Sequence, residues 1–195
     1  MSSPLLRMSD VTVQYFLSDS NQKALDNASL EIPSVGYTLG LVGESGSGKT
    51  TLGLTMLNMI EKRGKITQGK IEYQGRNILE MPKEELRAYR GVEVAMVYQS
   101  AMNSLSPTKT IIGHVEEVIR EHVSISKLEA LEKSVKLLSE VGIKEDRISG
   151  YPFEYSGGMR QRVVIAMALA LSPKMLIADE PTSALDVVVQ RQILD

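Results

Sequence analysis

The stretch Gly43-Glu44-Ser45-Gly46-Ser47-Gly48-Lys49-Thr50 constrains the fold of this 195-residue chain more than any other. It fills every fixed position of G-x-x-x-x-G-K-[ST], a loop whose glycines let successive backbone N–H groups curl inward on phosphate oxygens. The apolar run Tyr37-Thr38-Leu39-Gly40-Leu41-Val42 before it reads as a buried strand, and Thr51 to Ile60 after it reads as a helix. That order brings the positive end of a helix dipole, about half a unit charge, to the phosphates. The candidate cradle is the whole loop plus Thr51, with Lys49 reaching the β/γ-phosphates and the Thr50 hydroxyl suited to ligate Mg²⁺. The loop binds a nucleoside triphosphate.

Other classes are excluded by composition. A net charge of −2 leaves no footprint for nucleic acid, and the absence of cysteine rules out a disulfide framework or a thiolate metal site. Met1 to Asp10 lacks the basic and apolar regions of a signal peptide. The longest apolar runs, such as Val163 to Leu171, are too short to span a bilayer, so work at a membrane requires docking on subunits that cross it.

Along the chain, Leu5 to Phe16 reads as a strand, Ser18 to Lys23 as a polar turn, and Ala28 to Ile32 as a second strand ending at Pro33. Gly69 to Tyr73 with the turn Gln74-Gly75 predicts a hairpin, and Pro82 at a first helical position starts a short helix to Tyr89. Val92 to Tyr98 reads as a buried strand ending in Gln99. From Thr110 to Gly142 the apolar period becomes helical, giving two helices separated near Val123 to Ser126. A further helix runs from about Gly158 to Leu171, followed by the strand Met175 to Ala178.

Two constellations complete the chemistry. The last strand delivers Asp179 and Glu180 to its carboxyl end, where open parallel sheets place ligand-binding groups. Asp179 is suited to hold Mg²⁺ and Glu180 to act as general base on an attacking water. In Tyr155-Ser156-Gly157-Gly158-Met159-Arg160-Gln161-Arg162, Ser156 is a good N-cap for a helix whose N-terminus can hold an anion.

These motifs, in this order, make the sequence resemble the ATP-binding cassette (ABC) ATPases. Ser156-Gly157-Gly158-Met159 is similar to the family signature, with Met159 where Gln is commonest. Asp179-Glu180 resembles the Walker B pair, Ser183-Ala184-Leu185-Asp186 the loop after it, and Gln99 the Q-loop glutamine. Met102 to Pro107 and Tyr151 to Arg162 are similar to segments of oligopeptide/dipeptide permease ATPases, as is Ile177 to Asp186. Ser100-Ala101 departs from the acidic-Pro pair common after the glutamine.

The resemblance implies an α/β fold: a P-loop NTPase (RecA-like) core with an antiparallel β subdomain and an inserted α-helical subdomain. Residues 1–98 and 172–195 would form the core, and 99–171 the helical subdomain. It implies ATP and Mg²⁺, the metal held by Thr50, Gln99 and Asp179, with Glu180, Lys49 and Gln99 catalytic. Tyr15 fits the residue that stacks on adenine, with Phe16 its rival. Two cassettes would stack head to tail, so that Ser156, Gly157 and Gly158 serve the partner's nucleotide. Arg160 and Arg162 would pack or face solvent.

Transmembrane permease subunits would be driven from the cytoplasmic face of the membrane, and an extracytoplasmic solute-binding protein would take part indirectly. The imported solute would be a peptide, an oligosaccharide or nickel. The alternative is a soluble, non-transport ABC ATPase. The family's switch histidine lies beyond Asp195, and His114 and His122 sit too early to replace it. Either a fragment of a longer subunit or a truncated cassette is expected, one that as it stands binds ATP with hydrolysis weak or absent.

Overall fold

A computed structural model describes residues 3–17, 20–99 and 104–181. Expectations for Ser100 to Asn103 and for Thr182 to Asp195, including Ser183 to Asp186, lie outside the described residues. The chain divides into two compact units, Met1–Arg87 and Ala88–Asp195.

The first unit is built on an antiparallel sheet of β1 (Leu6–Phe16), β2 (Asn21–Ile32), β3 (Gly64–Tyr73) and β4 (Arg76–Asn77), in the order β2-β1-β3-β4. β1 lies in the middle, with Leu6 opposite Ile32 on one side and Tyr73 on the other. Its buried residues change phase, from Leu6 and Met8 to Val11 and Val13. A bulge between Met8 and Val11, with Asp10 at φ 50°, absorbs the extra residue and keeps the apolar side chains on one face. Gly69 crosses there so closely that a Cβ would lie 2.5 Å from the Asp10 carbonyl oxygen. Gln74 and Gly75 both take positive φ, 49° and 81°, as the two-residue turn of a tight hairpin requires.

β2 starts earlier than the sequence suggests, because pairing with β1 carries it back to Asn21. The short helix α2 (Lys83–Ala88) begins one residue after Pro82, whose carbonyl accepts from the Leu86 amide. Pro82 is therefore the cap rather than the first helical residue.

The expected strand Tyr37 to Val42 is not formed. Leu41 is 47% exposed and Val42 fully so, and no strand among the described residues is hydrogen-bonded to the segment. An apolar run specifies a buried strand only through neighbours that satisfy its backbone and cover its side chains.

In the second unit β5 (Val94–Val97) pairs in parallel with β6 (Met175–Ala178), Val94 opposite Met175 and Val97 opposite Ala178. Between them in sequence come α3 (Ile111–His122), α4 (Lys127–Glu140) and α5 (Gly157–Leu169). Thr110 caps α3 through the Gly113 amide. Ser126 and Glu129 form a reciprocal capping box that starts α4 where the two predicted helices separate. The three helices bury Ile111, Val115, Ile119, Leu138 and Val163 in one cluster with Val97 of β5. Each of the larger aliphatic side chains contributes about 1.5–3 kcal/mol by leaving water.

Candidate functional site

The phosphate loop ends on α1 (Lys49–Met56), which is capped by backbone alone. Gly48, the N-cap, has φ 96° and offers no side chain to cap the helix. A Cβ at Gly48 would lie 2.6 Å from the Ala24 carbonyl oxygen of β2, so only glycine brings the loop this close to the sheet. Gly46 also takes positive φ, 80°, and a Cβ on Gly43 would meet the Ser47 Oγ at 2.7 Å. Lys49 folds over the loop and donates to the carbonyls of Gly43 (2.7 Å) and Glu44 (2.8 Å). Its ammonium and the opening turn of α1, which carries Thr50 and Thr51, thus belong to one concave loop.

Tyr15 and Phe16 sit at the end of β1. Tyr15 is partly buried, its ring packed where a Cβ on Gly64 would come within 3.0 Å, beside Ile60 in the chain that leaves α1. Phe16 is 41% exposed, with the Lys65 ammonium 5.9 Å from its ring centre. Strand alternation places the two rings on opposite faces, so one at most serves a given base.

The carboxylate pair belongs to the second unit. β6 ends at Ala178, the Asp179 amide extends the ladder to the Val97 carbonyl at 2.9 Å, and Glu180 then turns the chain with φ 48°. A left-handed conformation at a non-glycine residue is strained, and such strain clusters at functional sites. Glu180 Oε2 accepts from Gln99 Nε2 at 2.6 Å. Two residues 81 apart in sequence are thereby joined, because parallel pairing aligns the ends of β5 and β6.

With its amide nitrogen turned to Glu180, Gln99 keeps an amide oxygen to offer a cation. Within the second unit, an amide oxygen and a carboxylate at neighbouring strand ends are the hard oxygen donors that suit Mg²⁺, which takes few protein ligands beside phosphate and water. Among the described residues no cluster of three or more His, Asp or Glu forms a protein-only metal cage.

Ser156 caps α5 as expected, its Oγ accepting from the Met159 amide at 3.3 Å, with Gly157 and Gly158 as the first helical residues. Arg162 reaches back to the Val141 carbonyl at 3.3 Å and ties α5 to the end of α4. His114 is buried, between the Thr110 carbonyl and the Ser106 amide, and burial pushes its pKa down. His122 lies on the exposed end of α3, its Nδ1 3.0 Å from the Val118 carbonyl.

Sequence reasoning gave Gln161 no role. It is 2% exposed and donates to the Pro181 carbonyl at 2.9 Å, one residue past Glu180. The available signal was its register: Gln161 lies three and four residues before the buried Val164 and Ile165 on α5.

The ABC transporter family model matches residues 25–183. A probable peptide ABC transporter ATP-binding protein of Sinorhizobium fredii is 44% identical over 193 residues, 97% of this chain and 57% of that protein. The oligopeptide transport ATP-binding protein AmiE of Streptococcus pneumoniae is 43% identical over 98% of this chain and 54% of its own length. OppD of Salmonella typhimurium, also an oligopeptide transport ATP-binding protein, is 43% identical over 97% and 57%. The chain therefore spans little more than half the length of these curated relatives.

Among solved structures, the dimeric post-hydrolysis state of the ATP-binding cassette MJ0796, bound to ADP and Pi, superposes with a TM-score of 0.86. It is 29% identical, over 97% of this chain and 79% of that one. The family match takes in the glycine cradle, the helix that opens at Ser156 and the Asp179-Glu180 strand end, and the chain belongs to the ABC transporter family.

Proposed function

We propose that this chain is the ATP-binding part of an importer subunit that powers uptake of peptides or related solutes through partner permease subunits. The observation that carries the nucleotide assignment is the closed loop from Gly43 to Thr50, with Lys49 bonded to the loop's own carbonyls. Phosphate oxygens are stronger acceptors for an ammonium than those carbonyls, and they compete for it when ATP enters. Backbone amides at the start of α1 hold the phosphates, Lys49 lies along the β/γ bridge, and Tyr15 supports the base.

Thr50, Asp179 and Gln99 would hold Mg²⁺, which neutralises phosphate charge when bound. Glu180 takes the proton of the attacking water, its carboxylate oriented by the Gln99 amide. Ser156 and the amides of Gly157 and Gly158 face the nucleotide of a second cassette, so two chains complete two sites. ATP then favours the closed pair only by its greater affinity for that state. No helix among the described residues is long and apolar enough to cross a membrane, and attachment to the cytoplasmic face comes through the permease subunits. The peptide class is supported by the relatives, which are peptide and oligopeptide transport ATP-binding proteins.

Titration of the chain with a fluorescent ATP analogue and Mg²⁺ tests the site. Lys49→Ala should weaken binding at least about tenfold, the value of one charge-assisted contact to phosphate. Equal affinity would refute the assignment. Peptide uptake in vesicles carrying the permease subunits tests the transport reading, and ATP-dependent uptake that needs this chain is the expected result.

A further inference from the structure

We propose that Gln161 is a positioning residue that carries movement of the signature end of α5 to the general base Glu180 of the same chain. The inference rests on the ATPase reading above and extends it to a residue outside the nucleotide contacts.

Glu180 is held from three directions. Its preceding neighbour Asp179 is fixed by its backbone N–H, which donates to the Val97 carbonyl oxygen at 2.9 Å. Its carboxylate accepts from Gln99 at 2.6 Å. The carbonyl of its following neighbour, Pro181, accepts from Gln161 Nε2 at 2.9 Å. Between two anchored backbone points, Glu180 occupies a strained left-handed conformation that any displacement of Pro181 relaxes or deepens.

Gln161 is poorly chosen for packing alone. Its side chain is buried at 2% exposure, and its Oε1 has no hydrogen-bond partner. An unsatisfied buried acceptor is unfavourable, and an apolar isostere such as Met would avoid that cost while filling the space. What Met cannot supply is the N–H that holds Pro181. Gln161 also lies five residues, under one and a half turns, beyond the cap Ser156 on a continuous helix. A shift of α5 as Ser156 and the glycines engage a partner's nucleotide therefore moves the Pro181 carbonyl with it. Each chain's base thereby senses occupancy at the site its signature completes.

The test compares the full chain with Gln161→Met and Gln161→Glu, measuring Mg-ATP affinity and steady-state hydrolysis across pH. In Gln161→Met the expected result is kcat about tenfold lower, the equivalent of one lost hydrogen bond, with Kd within about twofold. In Gln161→Glu a protonated carboxyl restores a donor to Pro181 and an ionised one removes it. Turnover relative to wild type should therefore rise as pH falls in the Glu variant and stay flat in the Met variant.

Wild-type kcat in Gln161→Met overturns the proposal, and so do parallel pH profiles for the two variants. The chemical shift of the Glu180 backbone amide needs no turnover: Gln161→Met should move it, and an unmoved resonance also overturns the proposal. Weak or absent hydrolysis by the wild-type chain leaves that resonance to decide, whereas absence of Mg-ATP binding would count against the ATPase reading alone.

Discussion

Replacing single glycines with alanine around the phosphate loop separates backbone strain from steric contact. Gly40 has ordinary φ and open space where its Cβ would sit. Gly40→Ala should be neutral or stabilising by about 0.4–1 kcal/mol, through lost entropy of the unfolded chain. Gly46 has φ 80° and again nothing within 4 Å. Alanine there meets only the left-handed penalty of about 1–2 kcal/mol, less the same entropic gain.

Gly48 adds a clash to the strain. At φ 96° its Cβ would lie 2.6 Å from the Ala24 carbonyl oxygen and 3.3 Å from a Leu25 methyl. Ala24 is the extra residue of β2 where the register shifts between Val13 and Gln14, so the obstacle is backbone anchored on both sides. Overpacking of this kind adds about 1–3 kcal/mol to the left-handed penalty, for a total of about 1–4.5 kcal/mol after the same entropic gain. The clash also tilts the first turn of α1, which holds Lys49 and Thr50. Denaturant unfolding and Mg-ATP titration of the three variants make the assay. Gly48→Ala should be the least stable and should bind nucleotide weakest. If Gly48→Ala and Gly46→Ala lose the same stability within about 0.5 kcal/mol, the close approach to β2 is not what demands glycine, and the reasoning fails.

Three further outcomes are expected. Glu180→Gln should retain Mg-ATP binding but lose about 10²–10⁴-fold in single-turnover hydrolysis, whereas unchanged hydrolysis would remove Glu180 as base. His114 is neutral in the fold, since its Nε2 accepts from Ser106 N and its Nδ1–H donates to Thr110 O, with Lys109 and Glu117 the charged groups beside it. Its pKa lies below the ordinary 6.5, so the folded state binds fewer protons than the unfolded one. Its contribution is complete above pH 6.5 and is lost as pH falls through the lowered value; unfolding midpoints of His114→Gln should show less acid sensitivity than wild type. Ser126→Ala removes the α4 capping box and should cost about 1 kcal/mol in chemical denaturation, with nucleotide affinity unchanged.

The elements legible in the sequence are those whose signals are local. Thr110 and Ser126 mark helix starts because their hydroxyls cap backbone amides three residues on, and Gln74-Gly75 marks a hairpin because both residues tolerate positive φ. Tyr37 to Val42 misled because burial is not a property of a segment. An apolar run forms a strand only where other strands come alongside, and here none of the described strands does. Pro82 shifted by one position because a proline can precede a helix as well as open it.

The sequence by itself determined the chemistry on offer: a glycine loop ending in Lys49 and Thr50, a strand ending in Asp179 and Glu180, and a helix opening on Ser156-Gly157-Gly158. Spacing suffices for these, since each motif works through a single turn of backbone. Tertiary structure alone decided which distant groups meet. Parallel pairing of β5 with β6 sets Gln99 against Glu180, and the packing of α5 drives the Gln161 amide onto the Pro181 carbonyl. Both contacts join residues at least 20 positions apart, and their geometry comes from the strand register and helix packing that no local signal encodes.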